Sequence, residues 1–211
     1  EYRFRYGTSS GDYDAETVWT GSVETGDGFS EGVTGLEQGR AYYFVAQLRN
    51  GSGDSTGAEE QFTTKPEAPS ALTAVTAGWD SVDLSWTAGT GADETRVQRS
   101  TGAYPAGRNA GVTVYEGAGL SASDTGLDPE TTYYYRAWSS AGDGDSWSDA
   151  YAQDSAATDP LPLPSVTTLA AGAVEETTAT LNGLLDDDAG LTCEYRFEYD
   201  SNSGASWLPT G

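Results

Sequence analysis

The chain has 211 residues with ten basic and 33 acidic side chains, a net charge of −23, one Cys, no His and no Met. The absence of His excludes Ser-His-Asp, Cys-His and His-based metal arrangements, and so negative a field repels phosphate backbones and excludes nucleic acid as an expected partner. No apolar run approaches the ~20 residues that span a bilayer, so no membrane span is expected in this segment.

Abundant Gly, Ser, Thr and Asp with 13 Tyr and 6 Trp suits short strands joined by tight turns, and an all-β fold is expected. Cys193 cannot form an internal disulfide; it is expected as a small buried residue on a strand, with an intermolecular bridge as the alternative. The fold is therefore held by its apolar core.

Tyr2, Phe4 and Tyr6 alternate with Arg3 and Arg5, a period of two that predicts a half-buried strand. Thr17-Val18-Trp19 is a second expected strand, and Tyr42 to Leu48 a third with Tyr42, Phe44, Ala46 and Leu48 on one face. Asn50-Gly51 signals a hairpin turn, and Glu59 to Thr64 returns. Pro66 and Pro69 then open a middle segment with strands expected over Leu72 to Val75, Ser81 to Trp86, Thr95 to Arg99 and Val112 to Glu116. Val82, Leu84 and Trp86 should point inward. Leu127 to Trp138 repeats the earlier pattern of Leu36 onward, and a last strand lies around Tyr151 to Thr158. The proline-dense run Asp159 to Pro164 reads as a stiff, extended linker. Beyond it, Val166 to Leu169 and Thr178 to Asn182 are expected strands, and Asp186-Asp187-Asp188 an acidic turn.

One string occurs twice. Glu1-Tyr2-Arg3-Phe4-Arg5-Tyr6 is echoed by Glu194-Tyr195-Arg196-Phe197-Glu198-Tyr199, with five of six residues matching. The middle segment, with Trp86 on its second strand and the step Leu127, Pro129, Tyr133, resembles a fibronectin type III domain. That resemblance implies tandem seven-strand sandwiches of two antiparallel sheets, in which a corner Tyr bonds back to nearby backbone while its ring packs inward. Residues 66–159 would form one complete module, 1–65 the C-terminal part of another, and 160–211 the N-terminal part of a next. Leu36 and Tyr42 repeat the corner in the first. The third departs by having Gly183 where Trp86 sits, and Tyr195 and Phe197 are expected to fill that volume. Residues 1–65 and 166–211, with the shared strand counted once, amount to about one sandwich of ~100 residues. Either the chain is a stretch of a continuous array, or separate chains complete each other's split sandwich head to tail. Its partners are then neighbouring copies of the same repeat.

The chemistry-bearing candidates are few. Asp143, Asp145 and Asp149 stand in one expected loop and Asp186, Asp187 and Asp188 in another, where closely spaced carboxylates suit calcium; both lack the full calcium-loop pattern, and solvated turns are the alternative. Otherwise no cofactor is expected. Asn50-Gly51-Ser52 is a glycosylation sequon on an expected exposed turn. Trp19, Trp147 and Trp207, with Trp79 and Trp138, are not evident core residues; exposed aromatics can anchor an interface or stack on a glycan, or simply pack under a long Arg. No catalytic residue stands out. The expected function is a non-enzymatic, extracellular or cell-surface structural segment of a microbial stalk, sheath or filament. The alternative is an adhesive, carbohydrate-binding or spacer module of a larger secreted protein or phage fibre.

Overall fold

The computed structural model describes residues 1–142, 144, 146–199 and the backbone of 208–209. Among them all regular structure is strand, and the chain divides into two compact units, Glu1–Asp159 and Pro160–Gly211.

In the first unit, β1 (Tyr2–Gly7), β2 (Ala15–Glu16), β3 (Ala41–Asn50), β4 (Gly53–Thr56) and β5 (Glu60–Thr63) form one antiparallel sheet. β1 lies between β2 and β3, while β3 also pairs with β4 and β5. Directly opposed residues share a face of an antiparallel ladder. The pairs Phe4↔Ala46, Tyr6↔Phe44 and Tyr42↔Phe62 therefore gather five aromatic rings on one face. Arg3↔Gln47 and Arg5↔Val45 lie on the other, where Val45 is buried.

The same unit continues with β6 (Ser70–Thr76), β7 (Ser81–Thr87), β8 (Glu94–Thr101), β9 (Val112–Gly117), β10 (Ser121–Thr125), β11 (Thr132–Ala141), β12 (Ser146–Trp147) and β13 (Ala152–Ala157). One sheet has the order β10-β7-β6. The other has the order β12-β11-β8-β9, with β13 also on β11. They enclose a core of Leu72, Val82, Leu84, Trp86, Val97, Leu127, Tyr133, Tyr135 and Ala137. Trp86 packs its ring 5.1 Å from that of Tyr115. This is the two-sheet sandwich that the alternating Val82, Leu84 and Trp86 called for.

Several short or polar strands were not legible, β10, β4 and β12 among them. β10 is Ser121-Ala122-Ser123-Asp124-Thr125, without a large apolar residue, yet it pairs along β7 from Ser121↔Ser85 to Thr125↔Ser81. Its inward carboxylate is accommodated because Arg99 Nη1 bonds Asp124 at 2.7 Å and the Tyr135 hydroxyl donates to it at 3.0 Å. β4 is polar and exposed, and β12 falls where a loop was expected. The Asn50-Gly51 turn forms, but its positive φ is at Gly53. Thr17-Val18-Trp19 is not a strand: β2 ends at Glu16, and the following residues run beside β1 with a single bridge, Tyr2↔Thr20.

In the second unit β14 (Ser165–Gly172) pairs with β15 (Thr180–Asp187), and β16 (Glu198–Tyr199) with β17 (Leu208–Pro209). The repeated string is a strand only at its last two residues. Residues 194–197 form no strand, and Tyr195 is 89% exposed. Cys193, expected as a buried residue on a strand, is half-buried in a non-strand segment.

Candidate functional site on an open aromatic sheet face

Both sheets built around β3 and β11 are anchored by one corner, repeated bond for bond. The Tyr133 hydroxyl accepts the Asp128 N–H at 2.9 Å, and the Tyr42 hydroxyl accepts the Glu37 N–H at 3.0 Å. A threonine locks each corner. Thr158 accepts the Thr131 N–H at 3.1 Å and donates to the Asp128 carbonyl at 2.6 Å; Thr64 does the same with Arg40 and Glu37 at 2.8 and 2.6 Å. The turn residue is left-handed in both, Glu130 at φ 49° and Gly39 at φ 61°. Neither threonine was singled out in sequence, although Thr64-Lys65-Pro66 and Thr158-Asp159-Pro160 share a Thr-x-Pro pattern.

With the corners superposed in register, the two sheets differ in what covers them. Tyr133 and Tyr135 lie beneath the β10-β7-β6 sheet, and Leu127 is buried beside them. The equivalent face of β1, β3 and β5 has no second sheet among the described residues. Leu36 and Phe44 are only half-buried, and Phe62 is 36% exposed. Only the segment carrying Phe29 and Val33 crosses it. Phe29 lies 4.8 Å from Tyr2 and 5.7 Å from Phe4, leaving an apolar groove of about 230 Å³ floored by Phe4, Tyr6, Phe44 and Phe62. Tyr42 is buried, with Phe62 stacked on it at 5.7 Å and Tyr6 at 6.4 Å.

At one end of the sheet Glu59 accepts hydrogen bonds from Ser10, Tyr13 and the Gly11 N–H, which hold its carboxyl below the ordinary carboxylate value. The same contact raises the Tyr13 hydroxyl. The groove itself offers apolar surface and no reacting constellation.

A second feature joins the two sheets systems of the first unit. A Cβ on Gly39 would fall 1.7 Å from the Gly91 carbonyl oxygen, and one on Gly91 would fall 2.1 Å from that of Gln38. Both glycines have positive φ, so the two turns touch backbone to backbone. Glu67 bridges them, accepting from Gln38 at 3.1 Å and Thr90 at 2.7 Å. Hydrogen bonds from Thr90 first, then Gln38, lower its carboxyl.

The remaining candidates are dispersed. Asp143, Asp145 and Trp207 lie outside the described residues. Asp149 pairs with Lys65 at 2.5 Å. Asp186 accepts from Thr167 at 2.7 Å, while Asp187 and Asp188 each accept a local backbone N–H at 2.8 Å. Among the described residues no three carboxylates or thiolates converge as a metal site. Asn50 is exposed on its turn and accepts the Ser52 N–H at 2.8 Å. Trp19 is half-buried between Arg3 and Arg49, 4.5 and 4.3 Å from its ring, and Trp147 between Arg96 and Arg108 at 4.6 and 5.4 Å. Trp79 is half-buried, and Trp138 is a buried residue beneath Tyr151, contrary to its expected place outside the core. It lies on the face of β11 opposite to Tyr133, Tyr135 and Ala137, so the alternation that marks the core strand does not point to it.

No family model matches the chain, and no curated protein matches it. Solved structures align with it loosely. A segment of two fibronectin type III domains from chicken tenascin matches at 20% identity over 74% of this chain and 83% of that one, with a TM-score of 0.48. The FN1-FN3 domains of chicken CNTN1 match at 12% identity over 75% and 56%, TM-score 0.40. A domain segment of titin matches at 16% identity over 74% and 54%, TM-score 0.37. The strand pairing and core described above make the chain an all-β protein in which residues 66–159 form a two-sheet sandwich, and these structures are similar to it in fold alone.

Proposed function

We propose that the chain is a non-enzymatic structural segment of a microbial extracellular or cell-surface stalk, sheath or filament. Its modules are 1–65, 66–159 and 160–211, and it works by contact with neighbouring copies of the same repeat. The observation that carries this reading is the junction at Gly39 and Gly91. Two sheet systems are joined there by direct backbone packing with no flexible linker, which suits a quasi-linear array whose units touch mainly their neighbours. Two further features support it. Trp19 and Trp147 are stacked under arginines instead of lining a concave sugar site, and residues 1–65 present an open apolar sheet face suited to a protein partner. The acidic surface keeps such an array from collapsing on itself.

The test is electron microscopy of the purified chain together with glycan-array binding. Ordered fibres or extended oligomers with no glycan signal are the expected result. A monomer that binds a defined glycan would overturn the reading in favour of an adhesive or carbohydrate-binding module.

A further inference from the structure

We propose that the open aromatic groove of residues 1–65 takes up the proline-leucine run Pro160 to Pro164 of a second copy of this chain. This deepens the structural reading above and rests on it, by naming the partner of that face.

The run is shaped for docking by its own covalent structure. Three prolines alternate with two leucines over Pro160-Leu161-Pro162-Leu163-Pro164. Each proline ring fixes its own φ at about −65°, and each leucine precedes a proline, which holds it in extended backbone. The run is therefore set as a polyproline II segment before any partner meets it. The prolines also remove three N–H donors, and residues 160–164 form no strand. Their leucines stand in solvent: Leu163 is 87% exposed and Leu161 46%.

The groove matches such a ligand. Extended proline-rich segments dock in grooves lined by aromatic rings, with little conformational freedom left to lose. Here Phe4, Tyr6, Phe29, Phe44 and Phe62 line the groove together with Val33. Its volume of about 230 Å³ falls below the ~300–1,000 Å³ of small-molecule sites, and it suits a leucine side chain with a flanking proline ring. The groove is open for a reason legible in the corner. Ser30 to Thr34 stand before Gly35 as β10 stands before Gly126. β10 is a strand on β7, whose Val82, Leu84 and Trp86 cover Tyr133 and Tyr135. Residues 30–34 form no strand, so they leave Phe4 and Phe44 to be covered from outside.

Charge selects the same two surfaces. The chain carries a net charge of −23, yet residues 160–174 hold no charged side chain, the longest such stretch in the sequence. Among the residues lining the groove only Glu31 is charged. Contact through this pair of surfaces spares two copies the like-charge repulsion that carboxylate-bearing surfaces would impose.

The test is sedimentation velocity on the full chain over a wide concentration range, with the Trp86 core monitored by near-ultraviolet dichroism to establish folding. The wild type is expected to give a concentration-dependent ladder of oligomers. Leu161→Ser with Leu163→Ser, at exposed positions that leave the core untouched, should weaken association roughly tenfold or more. Leu120→Ser, at another exposed leucine, should leave it unchanged. A peptide of residues 159–165 in excess should dissolve the wild-type oligomers. Val33→Glu blocks the groove alone; mixed with the double-serine variant it should give heterodimers only, although each variant alone stays monomeric. A wild type that is monomeric throughout, a double-serine chain that associates normally, a Leu120→Ser chain weakened as much, a peptide without effect, or absence of the heterodimer would each overturn the proposal. Oligomers sensitive to the peptide but never ordered as fibres would uphold the docking and overturn the filament reading; fibres indifferent to the serine substitutions would do the reverse.

Discussion

Thr158 is 4% exposed, and its hydroxyl both accepts the Thr131 N–H and donates to the Asp128 carbonyl. Removing it deletes both of these hydrogen bonds, each contributing about 0.5–1.5 kcal/mol, so Thr158→Val is expected to cost about 1–3 kcal/mol in urea denaturation. Tyr133→Phe, which orphans only the Asp128 N–H, should fall at the lower end of that range. Tyr135 is a titration probe of the same core. Burial first, and then the charge of Asp124, push its hydroxyl well above the ordinary value of 10.0. The unfolded chain therefore ionises it near 10 while the folded chain keeps it neutral. Stability from this group is complete below pH 10 and is lost as pH rises above it; a Tyr135→Phe variant should show a shallower alkaline decline in melting temperature. Glu67 has the opposite sign. Its carboxyl is lowered by Thr90 and Gln38, so the junction contact is complete above the ordinary carboxylate value of 4.5 and weakens as pH falls below it. A larger protection factor for the Thr90 amide (observed exchange relative to the intrinsic rate at each pH) at neutral pH than in acid, a difference absent in Glu67→Gln, is the expected signature.

At the scale of elements, strands with clean alternation were legible: β1, β3, β7 and β11 follow from Tyr2/Phe4/Tyr6, Tyr42/Phe44, Val82/Leu84/Trp86 and Tyr133/Tyr135. The corner was legible too, because Leu and Tyr recur at one spacing. What sequence could not supply was structure made by a partner. β10 carries no apolar signal and is a strand through its ladder with β7; residues 30–34 hold the matching place and are not a strand, having no such ladder. The string at 194–199 repeats β1 almost letter for letter and still differs from it in structure, since pairing with β3 decides the outcome. The groove beside Phe29 was not legible, because Phe29 stands in a loop without periodicity. The junction between Gly39 and Gly91 belongs to this scale. Gly39→Ala places a Cβ against the Gly91 carbonyl and a side chain at positive φ, for which about 1 kcal/mol is expected from backbone strain alone. Faster amide exchange at Gly39, with the Trp86 core unchanged, would register the opened junction.

At the scale of the whole molecule, a net charge of −23 opposes any association of like copies. Screening shortens the reach of that repulsion to about 8 Å at physiological ionic strength, so oligomers held by an apolar face should grow as salt is added, and shrink if ion pairs hold them. The most direct measurement is hydrogen exchange at the amides of residues 30–34, followed from dilute to concentrated chain. Protection that rises with concentration is the expected result, because a second copy docking on the open face covers those amides. Exchange that stays fast at every concentration, or that is already slow in the isolated monomer, would contradict closure of the open face by a neighbouring copy.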